Sequence, residues 1–250
     1  MCFQVMRLAT SLQDAKDQVA GSSLCWACGE PLALSAHFCA SCGKVQPARP
    51  LDHFAFFSLP RKLNLDIAAL EKEFYRLSRK LHPDLYARAT AQEQEWSLQK
   101  SSQLNDAYRA LKDPIARTQA LLALEGVQLE EQSAAATKQA RATGQEKKQV
   151  VPPELLEEVF ELNMQLQELK ADPTDDAVAT ELTTKKADLE ARLEQMNAEL
   201  KTYWDAWDNC DAAARAQAKD QMVALLNRRS YIRNLVRDVN AALAAKEPGT

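Results

Sequence analysis

The sequence predicts an all-α protein: a helical hairpin, then a C-terminal antiparallel three-helix bundle, with a small metal-binding module in front of both. Three observations support this prediction. Apolar residues make up 46% of the 250 residues while glycine occurs only six times, a composition that favours helices over β-structure. Apolar side chains recur at intervals of three and four residues in several long segments. Four of the six cysteines form two closely spaced pairs near the N-terminus.

The first helix of the hairpin carries an apolar face and a basic face. Asp66 is a suitable N-cap, and Pro83 disfavours helical geometry at His82, so the helix is predicted to lie between them. Its apolar stripe consists of Leu70, Phe74, Leu77 and Leu81. Four cations lie outside that stripe: Lys72, Arg76, Arg79 and Lys80.

The second helix is predicted at roughly Gln92–Leu111, with an apolar side formed by Leu98, Leu104, Tyr108 and Leu111. If the two stripes pack together, the loop between the helices projects His82-Pro83-Asp84 beside the basic face, and we interpret this tip as a docking site. One alternative is an ordinary solvated surface with a helix-terminating histidine. A catalytic His82–Asp84 dyad is a weaker alternative, because the sequence contains no nucleophile motif such as G-x-S-x-G.

The metal-binding module is predicted over residues 22–47. Its cysteines are spaced as Cys25-x2-Cys28 and Cys39-x2-Cys42, with ten residues between the pairs. A glycine follows each pair, where a turn toward a metal needs a permissive backbone. Four thiolates suit a structural zinc ion, and the surrounding residues contain too little apolar surface to fold without one. Removal of the metal is expected to unfold this module alone.

Other uses of the four cysteines remain open. Two disulfides would suit an oxidising compartment, which the rest of the sequence does not indicate. A redox-active C-x-x-C pair would normally accompany a strand–helix unit. Iron–sulfur ligation is a further alternative, and His37 could replace one cysteine as a ligand.

The remaining segments set the boundaries and the expected location. Residues 1–21 are predicted to form a flexible tail without the pattern of a secretory or transit peptide, and residues 127–151 a polar linker. No apolar run approaches the ~18–20 residues that span a membrane. A net charge of −4 argues against nucleic-acid binding by the whole chain. We expect a bacterial cytoplasmic protein, or one of the mitochondrial matrix if the source is eukaryotic.

The three-helix bundle is predicted over residues 152–246, with a comparatively long loop from Gln167 to Asp188. The first helix has a seam of Leu155, Val159, Leu162, Leu166 and Leu169. The second has Leu182, Leu189, Leu193, Met196, Leu200, Tyr203 and Trp207. The third has Met222, Leu225, Ile232, Val236, Val239 and Leu243.

A second apolar stripe lies on the first bundle helix, displaced from its seam. It consists of Leu156, Phe160 and Met164, at positions i, i+4 and i+8. A row of large exposed apolar side chains typically marks a partner surface. The alternative is a wide core that covers both stripes.

These motifs resemble a known family. The basic helix, the His-Pro-Asp tripeptide and the segment LNDAYRAL (Leu104–Leu111) resemble a J-domain, which would occupy residues 52–126. The FSLP segment before it, RTQALLALEG after it and the C-terminal bundle resemble the HscB-type co-chaperones of iron–sulfur cluster assembly. The cysteine pairs resemble the zinc module of eukaryotic-type members. The resemblance covers about Leu51 to Leu243.

The resemblance implies an adaptor without catalytic residues of its own. A DnaK/HscA-class chaperone, whose ATP hydrolysis the J-domain stimulates, would be bound by Lys72, Arg76, Arg79, Lys80, His82, Pro83 and Asp84. An IscU-like iron–sulfur scaffold protein would be bound by Leu156, Phe160, Glu161, Met164 and Tyr231. A structural zinc would be held by Cys25, Cys28, Cys39 and Cys42.

Two other functions are compatible with the sequence. A general J-domain co-chaperone would deliver unfolded clients and use the bundle to bind them or to form a homodimer; whether the bundle dimerises is left open. A nucleic-acid tether built on the zinc module is weaker, since Lys44 and Arg49 are its only cations.

Overall fold

The computed structural model describes residues 22–127, 129 and 155–246. The predicted tail at residues 1–21 and most of the predicted linker at 127–151 lie outside the described residues. The chain divides into two compact units, Met1–Val127 with Trp207–Cys210 and Gln128–Ala206 with Asp211–Thr250. The predicted all-α class is confirmed, with one small sheet in the metal-binding module. Among the described residues, no helix is both long and apolar enough to cross a membrane.

The metal-binding module contains two three-residue strands, β1 (Ser22–Leu24) and β2 (Pro31–Ala33). They pair antiparallel, with Ser23 opposite Leu32. The sheet is small, and its strands lie on either side of the first cysteine pair. The module belongs to the same unit as the helical hairpin.

The hairpin region contains four α-helices and one short 3-10 helix. They are α1 (His53–Phe56), α2 (Ile67–Leu81), the 3-10 helix (Pro83–Tyr86), α3 (Ala91–Lys112) and α4 (Pro114–Leu124). The predicted cap of α2 is confirmed, because the Asp66 carboxylate accepts from the Ala69 amide at 3.0 Å. Helix α3 begins with a capping box between Thr90 and Glu93.

Helix α2 packs on α3 through the predicted stripe, in which Leu70, Leu77 and Leu81 are buried and the Phe74 ring stacks on Tyr108 at 4.1 Å. The expectation for Leu98 is wrong, because it is 60% exposed. The buried face of α3 consists instead of Glu93, Ser97, Lys100, Leu104, Ala107 and Leu111. Successive helical residues are rotated by roughly 100°, so burying Ser97 turns its neighbour Leu98 outward.

The described part of the second unit contains three helices, α5 (Leu156–Ala171), α6 (Asp176–Asn209) and α7 (Ala212–Lys246), of which α6 continues from Trp207 onward into the first unit. Polar pairs show that α5 and α6 run antiparallel, since Glu158 pairs with Arg192 at 2.7 Å and Glu161 with Lys185 at 3.6 Å. Arg229 of α7 donates to Asn197 of α6 at 2.8 Å. The comparatively long loop expected from Gln167 to Asp188 is not formed, because only residues 172–175 separate α5 from α6.

The predicted seams form the core of the bundle. All five seam residues of α5 are buried, and so are most of those on α6 and α7. Leu193, Tyr203 and Leu243 are half-buried, and Trp204 is buried beside the expected Trp207. Some residues next to the predicted seam, such as Trp204, are therefore buried as well.

Candidate docking surfaces and metal centre

The four cysteines form two similar turns that face one another. The Gly29 amide donates to the Cys25 carbonyl at 2.9 Å, and the Gly43 amide donates to the Cys39 carbonyl at 3.0 Å. Both glycines have positive φ, 73° and 72°, which side chains with a Cβ rarely adopt. The sequence expectation for these two glycines is confirmed. Each turn directs both of its sulfur atoms to a common point.

The sulfur positions fit a tetrahedral metal. All four sulfurs lie within 4.8 Å of one another, with Cys25 to Cys42 at 3.7 Å and Cys28 to Cys39 at 3.6 Å. Four metal–sulfur bonds of ~2.3 Å in a tetrahedron require sulfurs roughly 3.8 Å apart. A disulfide needs ~2.05 Å, and the cysteines are free thiols in the structure. The arrangement is that of a metal centre.

Hydrogen bonds to Cys25 favour the thiolate that a metal requires. Burial of Cys25 opposes ionisation, but the backbone amides of Ala27 and Cys28 and the side chain of Gln46 lower its pKa to about 6. The Gln46 amide donates to the Cys25 sulfur at 3.4 Å and to the Lys44 carbonyl at 2.9 Å. Sequence reasoning missed Gln46, which is 2% exposed.

His37 is not a ligand in this arrangement. Its Nε2 donates to the Phe56 carbonyl at 2.8 Å, and its Nδ1 lies 3.4 Å from the Lys100 amine. Burial and the Lys100 cation lower the pKa of His37 to about 4, so the ring is neutral near pH 7. His37 therefore connects the module to α1 and α3.

The His-Pro-Asp tip is exposed at the junction between α2 and the 3-10 helix. The side chains of His82 and Asp84 are 56% and 89% exposed, and His82 Nδ1 lies 3.5 Å from the Asp84 carboxylate. Pro83 is the first residue of the 3-10 helix, where its missing amide hydrogen costs nothing. The tip presents an imidazole and a carboxylate to solvent.

The four predicted cations lie on the exposed face of α2. Arg76 pairs within the helix with Glu73, Nε to Oε2 at 2.7 Å, and this arginine lowers the pKa of the Glu73 carboxyl. The Lys80 amine lies 5.8 Å from the centre of the Phe38 ring. The structure thus places the basic residues and the tripeptide on one helix and the turn that follows it.

Sequence reasoning missed the side chains that position the tip. The hydroxyls of Ser97 and Ser101 both donate to the Leu81 carbonyl, at 2.7 and 2.8 Å. The Tyr86 hydroxyl donates to the Lys80 carbonyl at 3.1 Å. The last carbonyls of a helix have no partner within it, so these bonds satisfy α2 where it ends. The i, i+4 spacing of the serines was the available signal.

The second stripe of α5 is exposed. Leu156, Phe160 and Met164 are 54%, 66% and 57% exposed, whereas the neighbouring seam is buried. Glu161 lies beside them on the same helix and pairs with Lys185. The fifth predicted scaffold residue differs, because Tyr231 is only 4% exposed and belongs to the core of the bundle. The exposed candidate patch therefore contains the three apolar residues and Glu161.

Comparisons with known proteins agree with this arrangement. Residues 151–240 match the family model described as the HSCB C-terminal oligomerisation domain. The Arabidopsis thaliana iron-sulfur cluster co-chaperone protein HscB homolog is 26% identical over 209 residues, which cover 83% of this chain and 69% of that protein. The human iron-sulfur cluster co-chaperone protein HscB is 33% identical over 126 residues, 48% of this chain and 53% of that protein.

A solved structure shares the fold. The crystal structure of human co-chaperone protein HscB superposes with a TM-score of 0.62 at 22% identity, covering 88% of this chain and 98% of that chain.

A co-chaperone protein HscB homolog of Vibrio parahaemolyticus is 39% identical over 79 residues, 32% of this chain and 46% of that protein. The chain thus matches about half the length of the human and Vibrio relatives. The predicted resemblance to HscB-type co-chaperones is confirmed, and the relatives support a co-chaperone role.

We predict that the buried lysine between the module and the hairpin destabilises the first unit near neutral pH. Lys100 is 3% exposed, and burial, followed by the nearby Arg49 cation, lowers its pKa from 10.5 to about 8. Between these values the unfolded chain binds more protons, so stability should rise with pH across that range. Lys100→Met should stabilise the unit at pH 7, by up to roughly 3 kcal/mol, and flatten the rise.

Urea denaturation of the full chain, followed by circular dichroism at pH 7, 8.5 and 9.5, measures this effect. Lys201→Met, at an exposed lysine of α6, serves as the control and should leave the pH profile unchanged. An unaltered profile for Lys100→Met would contradict the assignment of the titration to Lys100.

Proposed function

We propose that this chain, which resembles HscB-type co-chaperones along most of its length, is an adaptor that brings an iron–sulfur scaffold protein to an ATP-hydrolysing chaperone. One observation carries the proposal: two exposed docking surfaces of different chemistry are built on two separate compact units. The first is the basic helix with its His-Pro-Asp tip, and the second is the apolar stripe of α5. An adaptor needs two such surfaces.

The first surface suits a DnaK/HscA-class chaperone. Its residues are Lys72, Arg76, Arg79, Lys80, His82, Pro83 and Asp84, and they are concentrated on α2 and the following turn. Exposed cations accelerate association with an acidic partner surface. The rigid tip adds one carboxylate and one imidazole at a defined position, which gives the contact its specificity. ATP hydrolysis takes place on the chaperone, and this chain contributes no catalytic residue.

The second surface suits the IscU-like scaffold. Leu156, Phe160 and Met164 offer a continuous apolar row along α5, and Glu161 adds a charge at its edge. Burial of exposed apolar side chains supplies most of the free energy of such contacts. Since Tyr231 is already buried among the helices, we leave it out of the contact surface.

Holding both partners on one chain increases the rate of their encounter. A scaffold bound to α5 is kept close to a chaperone bound to α2, so the second contact forms at a high effective concentration. Hydrolysis on the chaperone then strengthens its grip on the scaffold and favours cluster transfer. The alternative of general delivery of unfolded clients would use the same first surface and a less selective second one.

The metal centre would hold zinc through Cys25, Cys28, Cys39 and Cys42. Four thiolates in a closed tetrahedron leave no open position for chemistry, so zinc there would be structural. The contribution of this chain is to hold the four sulfurs at the required separations by means of the two glycine turns. Hydrogen bonds from Gln46 and the backbone favour the ionised form of Cys25.

We predict that Asp84→Asn and His82→Gln each abolish stimulation of the partner chaperone's ATPase while the fold is retained. Both side chains are exposed and no core contact depends on them. Steady-state ATPase assays with circular dichroism test this. Asp106→Asn, at another exposed carboxylate of the same unit, is the matched control and should stimulate normally. Undiminished stimulation by both tip variants would refute the chaperone contact.

We predict that replacing Leu156, Phe160 and Met164 by alanine weakens scaffold binding at least about a hundredfold. Each exposed apolar side chain that becomes buried contributes roughly 1–3 kcal/mol, so three losses together exceed the roughly 2.8 kcal/mol of a hundredfold change in affinity. Calorimetry with an IscU-like scaffold measures the change. Thermal stability should change little, because the three residues lie outside the core.

Two variants serve as controls for the stripe. Leu98→Ala removes an equally exposed leucine from the first unit and should leave scaffold affinity unchanged. Leu162→Ala opens the seam of α5 and should cost about 2–5 kcal/mol of bundle stability. Normal binding by the folded triple variant would favour general client delivery, and unfolding would show that the stripe belongs to the core.

We predict that one zinc ion is bound per chain and that Cys28→Ser loses most of it. Cys28 is an exposed ligand, so the substitution disturbs little packing while removing one of the four thiolates. Metal analysis of protein purified without added reductant measures the ratio. Cys210→Ser is the matched control, because Cys210 lies outside the four-sulfur group. A chain without metal and with two disulfides would contradict the zinc proposal.

A further inference from the structure

The metal-binding module lies directly against the hairpin that carries the chaperone-docking surface. Besides His37, three of its side chains reach the helices: Trp26, Phe38 and Lys44. Each of them is close to a metal ligand in sequence: Trp26 follows Cys25, Phe38 precedes Cys39, and Lys44 is two residues beyond Cys42. The conformation of the metal-binding turns therefore determines where these side chains point.

Lys44 holds the start of α3. Its amine lies 2.8 Å from the Glu93 carboxylate, whose side chain is only 4% exposed. Glu93 also accepts from the Thr90 amide at 3.2 Å and so closes the capping box. The bond to Lys44 lowers the pKa of the Glu93 carboxyl and keeps it ionised. A buried carboxylate that loses its cation is strongly destabilising.

Phe38 contacts the end of α2. The Lys80 amine lies 5.8 Å from the Phe38 ring centre, and Lys80 stands two residues before His82. Phe38 is itself held by a bridge to Val45 that closes the second cysteine turn. The contact therefore joins this turn to the helix end from which the tripeptide emerges.

Trp26 contacts α3 near its start. Its ring meets Trp96 of α3 edge-on, with ring centres 5.5 Å apart. The indole nitrogen donates to the Val45 carbonyl at 2.8 Å, so the ring is fixed from the module side. Together the three residues contact α3 near its start and α2 at its end, on both sides of the docking tip.

We propose that the metal-binding module is a positioning element for the chaperone-docking surface, acting through Lys44 on Glu93 and Phe38 on Lys80. When the four cysteines hold a metal, these side chains fix the end of α2 and the start of α3, and the tip is held at one position. Without the metal, both ends become mobile and stimulation falls. The inference rests on the proposed co-chaperone function.

A substitution that keeps all four cysteine ligands tests the contacts of the module separately from its metal binding. In Lys44→Met the cysteines remain, while the bond to Glu93 is lost. We expect this full-length variant to bind about one zinc per chain. Exchange of backbone amides in residues 77–96 should become at least about fivefold faster, the effect of a small loss of local stability. Stimulation of the chaperone ATPase should fall.

Three further samples complete the experiment: wild type with zinc, wild type stripped by a chelator under reducing conditions, and Lys62→Met. The stripped protein should show the faster exchange and the lower stimulation of Lys44→Met. Lys62→Met removes a cation of the same unit without touching the module and should behave as wild type. Metal content, hydrogen exchange and ATPase stimulation are measured on all four.

The outcomes separate this inference from the proposed function. Wild-type exchange in a zinc-loaded Lys44→Met overturns the inference, and so does faster exchange with undiminished stimulation. In both cases the co-chaperone function stands. If zinc-loaded wild type fails to stimulate any DnaK/HscA-class chaperone, the proposed function fails, and the exchange comparison alone then decides whether the module positions the tip.

Discussion

The docking tip depends on the way in which α2 ends. The last carbonyls of α2 need hydrogen-bond donors from outside the helix. Two serine hydroxyls of α3 donate to the Leu81 carbonyl, and the Tyr86 hydroxyl donates to the Lys80 carbonyl. The Leu81 side chain is completely buried, so the same residue anchors the helix by packing and by hydrogen bonds. Pro83 then prevents the helix from continuing. Because of these constraints, the tripeptide leaves the hairpin in a defined direction.

The two units expose their candidate docking surfaces in different ways. In the first, hydrogen bonds from α3 and from Tyr86 hold the start of a short loop whose tip residues His82 and Asp84 are exposed. In the second, α5 buries one stripe of side chains in the bundle core and exposes the neighbouring stripe. Leu155 is 6% exposed and Leu156 is 54% exposed, although they are adjacent, because successive side chains on a helix point in different directions. Substitutions in the exposed stripe can therefore change binding without disturbing the packing of the buried seam.

The metal-binding module has almost no core of its own, and its tertiary contacts are mainly with the hairpin. His37 illustrates this: both ring nitrogens are engaged by groups outside the module, on α1 and α3. Burial of Lys100 beside it has an electrostatic cost that a purely apolar contact would avoid. The interface also contains aromatic contacts, such as Trp26 against Trp96 and His37 against Phe56.

The sequence by itself determined the helices, the seams, the cysteine turns and the exposed stripe, because each depends on local periodicity, on caps or on ligand spacing. Asp66, Gly29 and the row from Leu155 to Leu169 are examples. It did not determine which polar side chains are buried. Ser97, Glu93 and Lys100 occupy the core face of α3 because the Leu81 carbonyl, the Lys44 amine and the His37 ring lie close to them there. Since Ser97 is buried, its neighbour Leu98 points outward. Tyr231 is buried as well, at 4% exposure. Such placements depend on tertiary contacts between distant segments, and no local pattern in the chain encodes them.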